Sequence, residues 1–303
     1  MRNEEIKNLP ASIQNRLLSQ ARSSGRPFNE LLQYYTIERF LYRLAQSRFA
    51  DRFVLKGAVL FRAWGLATFR PTRDIDLLGY TRNDVENLVS IIQEVCGQEV
   101  QPDGIFFDAE TVHGERIKEN TDYEGIRIRF GGTLGKAQLH LQIDIGFADI
   151  ITPGSKIVTY PVILKMPAPK MQGYPPETVV SEKLHAMVFH GSVNSRMKDF
   201  FDVWVLSQQS EFKGPILQKA IQQTFNQRKT DIPSGEPTAF LAQFAHDKQA
   251  QWIAFLKGSE IQDAPEQFES VITILRNFIL PIFHSLNTGS PFNKKWRPRG
   301  LWK

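Results

Sequence analysis

Two aspartates, Asp74 and Asp76, stand two positions apart inside the otherwise apolar run "DIDLLG". In a strand, side chains at i and i+2 point to the same face, so both carboxylates share one side while Ile75 and Leu77 take the other. Carboxylates held that close repel each other and lose water as they are covered. A cation that neutralises them relieves both penalties, so the pair reads as part of a metal site. A third acid, Asp144, lies between apolar neighbours in "LQIDIGFAD", a segment that alternates as strands do. If the two strands are neighbours in one sheet, Asp74, Asp76 and Asp144 form a carboxylate triad. Such an oxygen-rich set suits magnesium or manganese, and a pair of these ions can hold a triphosphate, activate a hydroxyl and stabilise departing pyrophosphate. On its own a D-x-D pattern commonly means surface charge, so the elements that would position these residues carry the weight.

Upstream, "FVLKG" reads as a strand running into a helix that begins near Gly57, where a glycine lets backbone N–H groups approach an anion. Downstream, "TRNDVENLVSIIQEVCG" has a helical apolar stripe of Val85, Leu88, Val89, Ile92 and Val95. The alternating segments "EGIRIRFGGTLG" and "AQLHLQIDIGF" read as two strands joined by a turn built on Gly131, Gly132 and Gly135. Ahead of all these, residues 4–46 suggest two helices. The first ends at Gly25, suited to a left-handed cap, and the second begins at Asn29 as a capping residue. Arg39 and Arg43 lie one turn apart on that second helix, as a solvated face or as contacts to phosphate. From Val158 to Gln172 the chain reads as extended and proline-punctuated, and helices return at "PETVVSEKLHAMVFHG" and continue to the end. The expected fold is α+β: an N-terminal helical segment (1–48), a mixed α/β core (49–174), a helical C-terminal domain (175–292) and a basic tail (293–303).

Composition sets the boundaries. With 42% hydrophobic and 23% charged residues in 303, the chain is globular rather than disordered. No apolar run reaches the roughly 18 residues of a membrane span, and the first residues carry acids and a proline where a signal peptide would be basic and then apolar. A cytoplasmic protein without a membrane partner is expected. The single cysteine, Cys96, excludes an internal disulfide framework and cannot make a zinc site alone. His185 and His190, five positions apart, do not share a helix face as a zinc pair would. Nucleophile-elbow and P-loop motifs are absent. A net charge of +5 favours a polyanionic partner. The tail "NKKWRPRGLWK" holds five cations and two tryptophans, which suits phosphate contacts combined with stacking on bases, or else a solvated terminus.

The stretch "LKGAVLFRAWGLATFRPTRDIDLLG" resembles the signature of the nucleotidyltransferase superfamily, a glycine-started helix followed by an aspartate pair on a strand. More narrowly, "FRPTRDIDL", "SEKLHAM" (181–187), "RMKDFFDVWVL" (196–206) and the leader "ERFLYRLAQS" resemble the AbiEii/AbiGii toxin family, over about residues 30–206. The resemblance implies a nucleotidyltransferase core with Asp74 and Asp76 as metal ligands. Asp144 would be the third acid, binding metal or accepting the proton of the attacking hydroxyl. It assigns Lys183 to the nucleotide phosphates and puts Asp202 near the nucleotide, with Lys198 and Asp199, in the pattern K-D-x-x-D. Alternatively Lys198 and Asp202 form an ion pair one turn apart, and Lys183 pairs with Glu182 or Asp199. There is one departure: Ala58 follows Gly57 where the superfamily usually has glycine or serine. Its backbone N–H remains available, and Thr72 could supply the missing hydroxyl. Arg70 and Arg73 could reach phosphate or face water. The activity so implied is magnesium- or manganese-dependent transfer of a nucleoside monophosphate from an NTP to an acceptor hydroxyl. The acceptor would be RNA, particularly a tRNA 3′ end. The chain would act as the toxin of a toxin–antitoxin or phage-defence pair, with its antitoxin encoded nearby. The same core serves antibiotic-type transfer to small molecules. An inactive binding or regulatory module is the non-enzymatic alternative, against which the intact acids and Lys183 argue.

Overall fold

The computed structural model describes residues 8–67, 70–120 and 123–303 and is an α+β fold. Two helices lead, α1 (Leu9–Ser24) and α2 (Phe28–Gln46). α1 ends at Gly25 in the left-handed region, as its sequence predicts. α2 starts one residue before Asn29, with Pro27 at the cap and no side-chain capping bond, because the fixed φ of proline already presets the first turn. Then follow β1 (Phe53–Lys56), the short α3 (Val59–Ala63), β2 (Asp74–Gly79) and α4 (Val85–Cys96), the last capped by the Asp84 carboxylate. Three strands come next, β3 (Ile105–Asn120), β4 (Tyr123–Leu134) and β5 (Ala137–Gly146), and then two short ones, β6 (Lys156–Thr159) and β7 (Lys170–Gly173). β3 has no counterpart among the elements expected from sequence, because its polar residues and the irregularity between Asp108 and His113 break the alternation. Gly131 and Gly132 are not turn residues. They lie within β4, opposite His140 and Leu139, and the turn itself is Gly135 and Lys136.

These strands form one seven-stranded sheet in the order β3-β4-β5-β2-β1-β7-β6. β2 runs parallel to β5 and antiparallel to β1, so the two acidic strands are neighbours. Alternation sorts the sheet into two faces. Ile75, Ile143 and Ile128 form one rung of the apolar face and Leu77, Ile145 and Ile126 the next, all fully buried. Helices α2 and α4 cover it, with Phe40 of α2 in edge and tilted contact with Phe107 and Phe130. The opposite face carries the charges.

Arg39 and Arg43 are not a solvated face. Both are buried, Arg43 in a bidentate pair with Asp103 at 2.6 and 3.0 Å and Arg39 on the Pro167 carbonyl at 2.7 Å. Helical spacing places them on one side of α2, and that side packs against the loops around residues 103 and 167.

A second compact unit consists of Gly65–Arg70, Asp149–Lys156 and Tyr174–Lys303. Its helices are α5 (Pro176–His190), α6 (Met197–Gln209), α7 (Gly214–Gln227), α8 (Ala242–Gly258) and α9 (Phe268–Thr288). Phe200, Phe201, Trp252 and Phe268 fill the core among α6, α8 and α9, Trp252 stacking on Phe268 at 5.0 Å. Two short strands, β8 (Phe212–Lys213) and β9 (Lys295–Trp296), add a ribbon. Through it the tail is folded rather than free, so its tryptophans are not base-stacking platforms. Trp296 is 1% exposed with its indole N–H on the Ser207 carbonyl, and Trp302 stacks on Phe278. Among the described residues, no helix is long and apolar enough to cross a membrane.

Candidate active site

The charged face of the sheet is organised as one row. Register pairs Lys56 of β1 with Asp76 of β2, Asp76 with Asp144 of β5, Asp144 with Arg127 of β4, and Arg127 with Glu115 of β3. Facing residues on adjacent strands project the same way, so five charged side chains line one rung across five strands. Asp76 and Asp144 sit at its centre, on strands about 4.8 Å apart. Asp74, one step along β2, is exposed at the strand's start, opposite Gln142.

Gly57 fits this row tightly. It has φ of +73°, and any Cβ there would collide with the Asp76 carboxylate. α3, only Val59–Ala63, is too short to build much of a helix dipole. What the glycine provides is room for Asp76 against the backbone between β1 and α3. Ala58, next in the chain, is buried. Thr72 turns its hydroxyl onto the Asp74 carbonyl at 3.3 Å, a contact within its own loop.

Asp144 has its own counter-ion. Both its oxygens accept from the Arg127 guanidinium, each at 2.7 Å, a bidentate geometry that fixes the orientation of the carboxylate. That hydrogen bonding is the main reason the Arg127 pKa is raised, with the charges of Asp144, Asp74 and Glu115 adding to it. Arg129, on the same face of β4, binds Gln142 and Glu115. Among the described residues, no three acidic, histidine or cysteine side chains are arranged to hold a metal ion. Donor chemistry fits a divalent cation at the Asp74 and Asp76 pair, two hard carboxylates on one face at an exposed strand end. The third carboxylate is beside them in register but clamped to Arg127.

The remaining expected residues meet on the helices. Lys183 of α5 reaches Asp199 at 2.8 Å and Asp202 at 2.7 Å, both on α6. Asp202 also takes a two-pronged contact from Arg70, at 3.1 and 3.2 Å, and Asp199 takes one from Arg196 at 2.6 Å. Both carboxylates are 1% exposed. Burial disfavours the Lys183 ammonium, but Asp199 and Asp202 outweigh it and raise its pKa. Burial likewise opposes the Asp199 charge, yet Lys183 and Arg196 hold its pKa well below the usual carboxylate range. Lys198 makes no pair with Asp202. It has no ion pair among the described residues, and desolvation of its ammonium followed by the nearby Arg70 charge lowers its pKa. Four cations, Arg70, Lys183, Arg196 and Lys198, thus surround two acids, an excess of positive charge suited to phosphate.

The sequence reading missed Lys56 and Arg127, the cations flanking the acid pair in the row. Lys56 was signalled by being the one charge in "FVLK", and Arg127 by the polar face of "IRIRF". His185 is buried and bonds the Thr230 hydroxyl at 2.9 Å.

Residues 39–274 match the family described as nucleotidyl transferase AbiEii toxin, type IV TA system. No match is found among curated proteins. Two Helicobacter pylori crystal structures are similar at low identity. JHP933 is 15% identical with a TM-score of 0.44, covering 83% of this chain and 90% of its own. The other, described provisionally as a nucleotidyltransferase, is 16% identical with a TM-score of 0.46, covering 86% of this chain and 97% of its own. The family match spans both the acidic row and the basic helical cluster: the chain belongs to the AbiEii family of nucleotidyltransferase toxins of type IV toxin–antitoxin systems.

Proposed function

We propose that the chain transfers a nucleoside monophosphate from an NTP to a hydroxyl of RNA, at a tRNA 3′ end, with a divalent cation at Asp74 and Asp76. The observation that carries this reading is the register of β2 against β5, which sets Asp76 beside Asp144 with Gly57 leaving space for the Asp76 carboxylate. When bound, magnesium or manganese supplies Lewis-acid stabilisation of charge on the phosphoryl oxygens. Arg127 orients Asp144, which accepts the proton of the attacking hydroxyl. The hydroxyl oxygen bonds to the α-phosphorus, the bond from that phosphorus to the β-phosphate oxygen breaks, and pyrophosphate leaves. Lys183 and Lys198 contact the phosphates as point charges, Lys183 held in place by Asp199 and Asp202. Arg70 positions Asp202. A cognate antitoxin is the protein partner, and phage defence is the setting.

The test incubates the purified chain and total tRNA with each labelled NTP in turn, with magnesium. Label should enter tRNA, and Asp74→Ala should reduce transfer by about a hundredfold or more. Full transfer by a folded Asp74→Ala variant would overturn the assignment of that residue. Labelling of an aminoglycoside or another small polar alcohol in place of RNA would overturn the acceptor.

A further inference from the structure

The C-terminal ribbon carries a charge pattern that folding alone does not account for. β8 pairs antiparallel with β9, matching Phe212 with Trp296 and Lys213 with Lys295. β9 pairs in turn with the chain end: Trp296 bridges Trp302, and Lys295 and Lys303 exchange N–H to carbonyl bonds of 2.8 and 3.0 Å. Directly opposed residues share a face. One face therefore holds Phe212, Trp296 and Trp302, and the other holds Lys213, Lys295 and Lys303 in a single cross-strand row. The aromatic face packs inward on Phe278. All three lysines are exposed.

Like charges directly opposite each other oppose strand pairing, and here they recur at both junctions of the ribbon. The tail is nevertheless held firmly, with the Gly214 N–H on the Lys294 carbonyl at 2.7 Å and no room for a side chain on Gly214. Lys294, Arg297 and Arg299 add further exposed cations, and none of these six has an ion pair among the described residues. The neighbouring acids are Glu211, just before β8, and Glu177, which feels the charges of Lys156 and Lys213. Beside the ribbon, against α9, lies a groove of about 570 Å³ lined in part by Asn277, His284, Lys294, Leu301 and Trp302.

We propose that the row Lys213, Lys295 and Lys303 is the docking surface for the phosphate backbone of the RNA acceptor. This rests on the proposed RNA reading. A rigid array of unpaired ammonium groups gains by releasing the counter-ions of a polyanion, and that gain offsets the mutual repulsion of the lysines. An anionic membrane is the less suitable partner. A surface-binding element turns its tryptophans and phenylalanines outward beside its cations, whereas here Phe212 and Trp296 are buried and Trp302 lies against Phe278.

The experiment compares the full chain with the triple variant Lys213→Gln, Lys295→Gln, Lys303→Gln. Affinities for tRNA, for an NTP with magnesium, and for vesicles rich in phosphatidylserine are measured at two salt concentrations, alongside thermal melting. The variant should melt at the same or a higher temperature, because repulsion is removed. It should bind tRNA about tenfold or more weakly, and its slope of log affinity against log salt should flatten by about 2, since each phosphate contact contributes somewhat less than one. NTP affinity should not change. A folded variant that binds and labels tRNA as the wild type does would overturn this surface and leave the RNA reading standing. A wild type that neither binds nor labels RNA would overturn both. Lysine-dependent binding to vesicles in place of tRNA would overturn the choice of partner.

Discussion

A methyl group at position 57 would occupy the space of the Asp76 carboxylate, so the smallest substitution in the row is a sharp probe of it. Gly57→Ala combines two penalties, a left-handed backbone costing roughly 1–2 kcal/mol for a residue with a Cβ and displacement of Asp76. Gly25 has nearly the same φ, +69°, but open space around it. Gly25→Ala should therefore lose comparable stability with transfer intact, while Gly57→Ala should lose transfer by about a hundredfold or more. Equal activities in the two variants would show that Asp76 does not depend on the glycine. Arg127 can be tested through cation binding rather than turnover. Removing its charge from beside Asp144 and Asp74 strengthens the local negative field, so Arg127→Ala should bind manganese several-fold more tightly by calorimetry, while transfer falls because Asp144 loses its orientation. Unchanged manganese affinity would separate Arg127 from the metal site. The D-x-D pair was legible in the sequence because its i, i+2 spacing is a local property of a strand. The Arg127 clamp was not, since nothing local identifies which strand β4 would border.

At the scale of elements, the packing of α5 against α7 sets a pH dependence. Burial first, then the charges of Arg228 and His190, lower the His185 pKa from 6.5 to about 4. Between those values the unfolded chain binds a proton that the folded chain does not, so stability falls as pH drops from 6.5 towards 4. His185→Gln, which can keep a hydrogen bond to Thr230, should flatten that part of the curve. Urea midpoints at pH 7.5, 6 and 5 for both proteins would check it, and identical slopes would remove His185 as the cause. The histidine pair illustrates how far spacing carries. Five positions on a helix argued against a metal pair, but said nothing of the Thr230 hydroxyl that the His185 ring meets. The buried neighbours that shift the pKa of His185 come largely from α7 and the residues after it, out of reach of any local reading. The same limit applies to α2. Its periodicity located the helix correctly, but the burial of Arg39 and Arg43 depends on Asp103 and Pro167, some 60 and 128 positions away.

At the scale of the whole molecule, membership of a toxin family predicts an effect on the host cell. Expression of the chain without an antitoxin should arrest growth, and Asp74→Ala should relieve the arrest at equal protein level. Arrest by the folded Asp74→Ala variant would mean that toxicity does not come from nucleotidyl transfer. Counting survivors and quantifying the protein by immunoblot decides it.

What the chain's own order of residues determined is local. Alternation and helical stripes identified most of the elements, the α+β class and the same-face geometry of Asp74 and Asp76, because such patterns are written within ten or so consecutive residues. Tertiary structure decided the rest. Asp144 became the neighbour of Asp76 only because β5 adds parallel to β2, in a register that no stretch of sequence specifies by itself. The tail tryptophans, which sequence offered as stacking platforms for bases, pack on Phe278 because β9 could pair with β8, and Trp296 is buried there. Lys295 and Lys303, next to them in the chain, were left facing outward, since residues that alternate along a strand must leave by opposite faces.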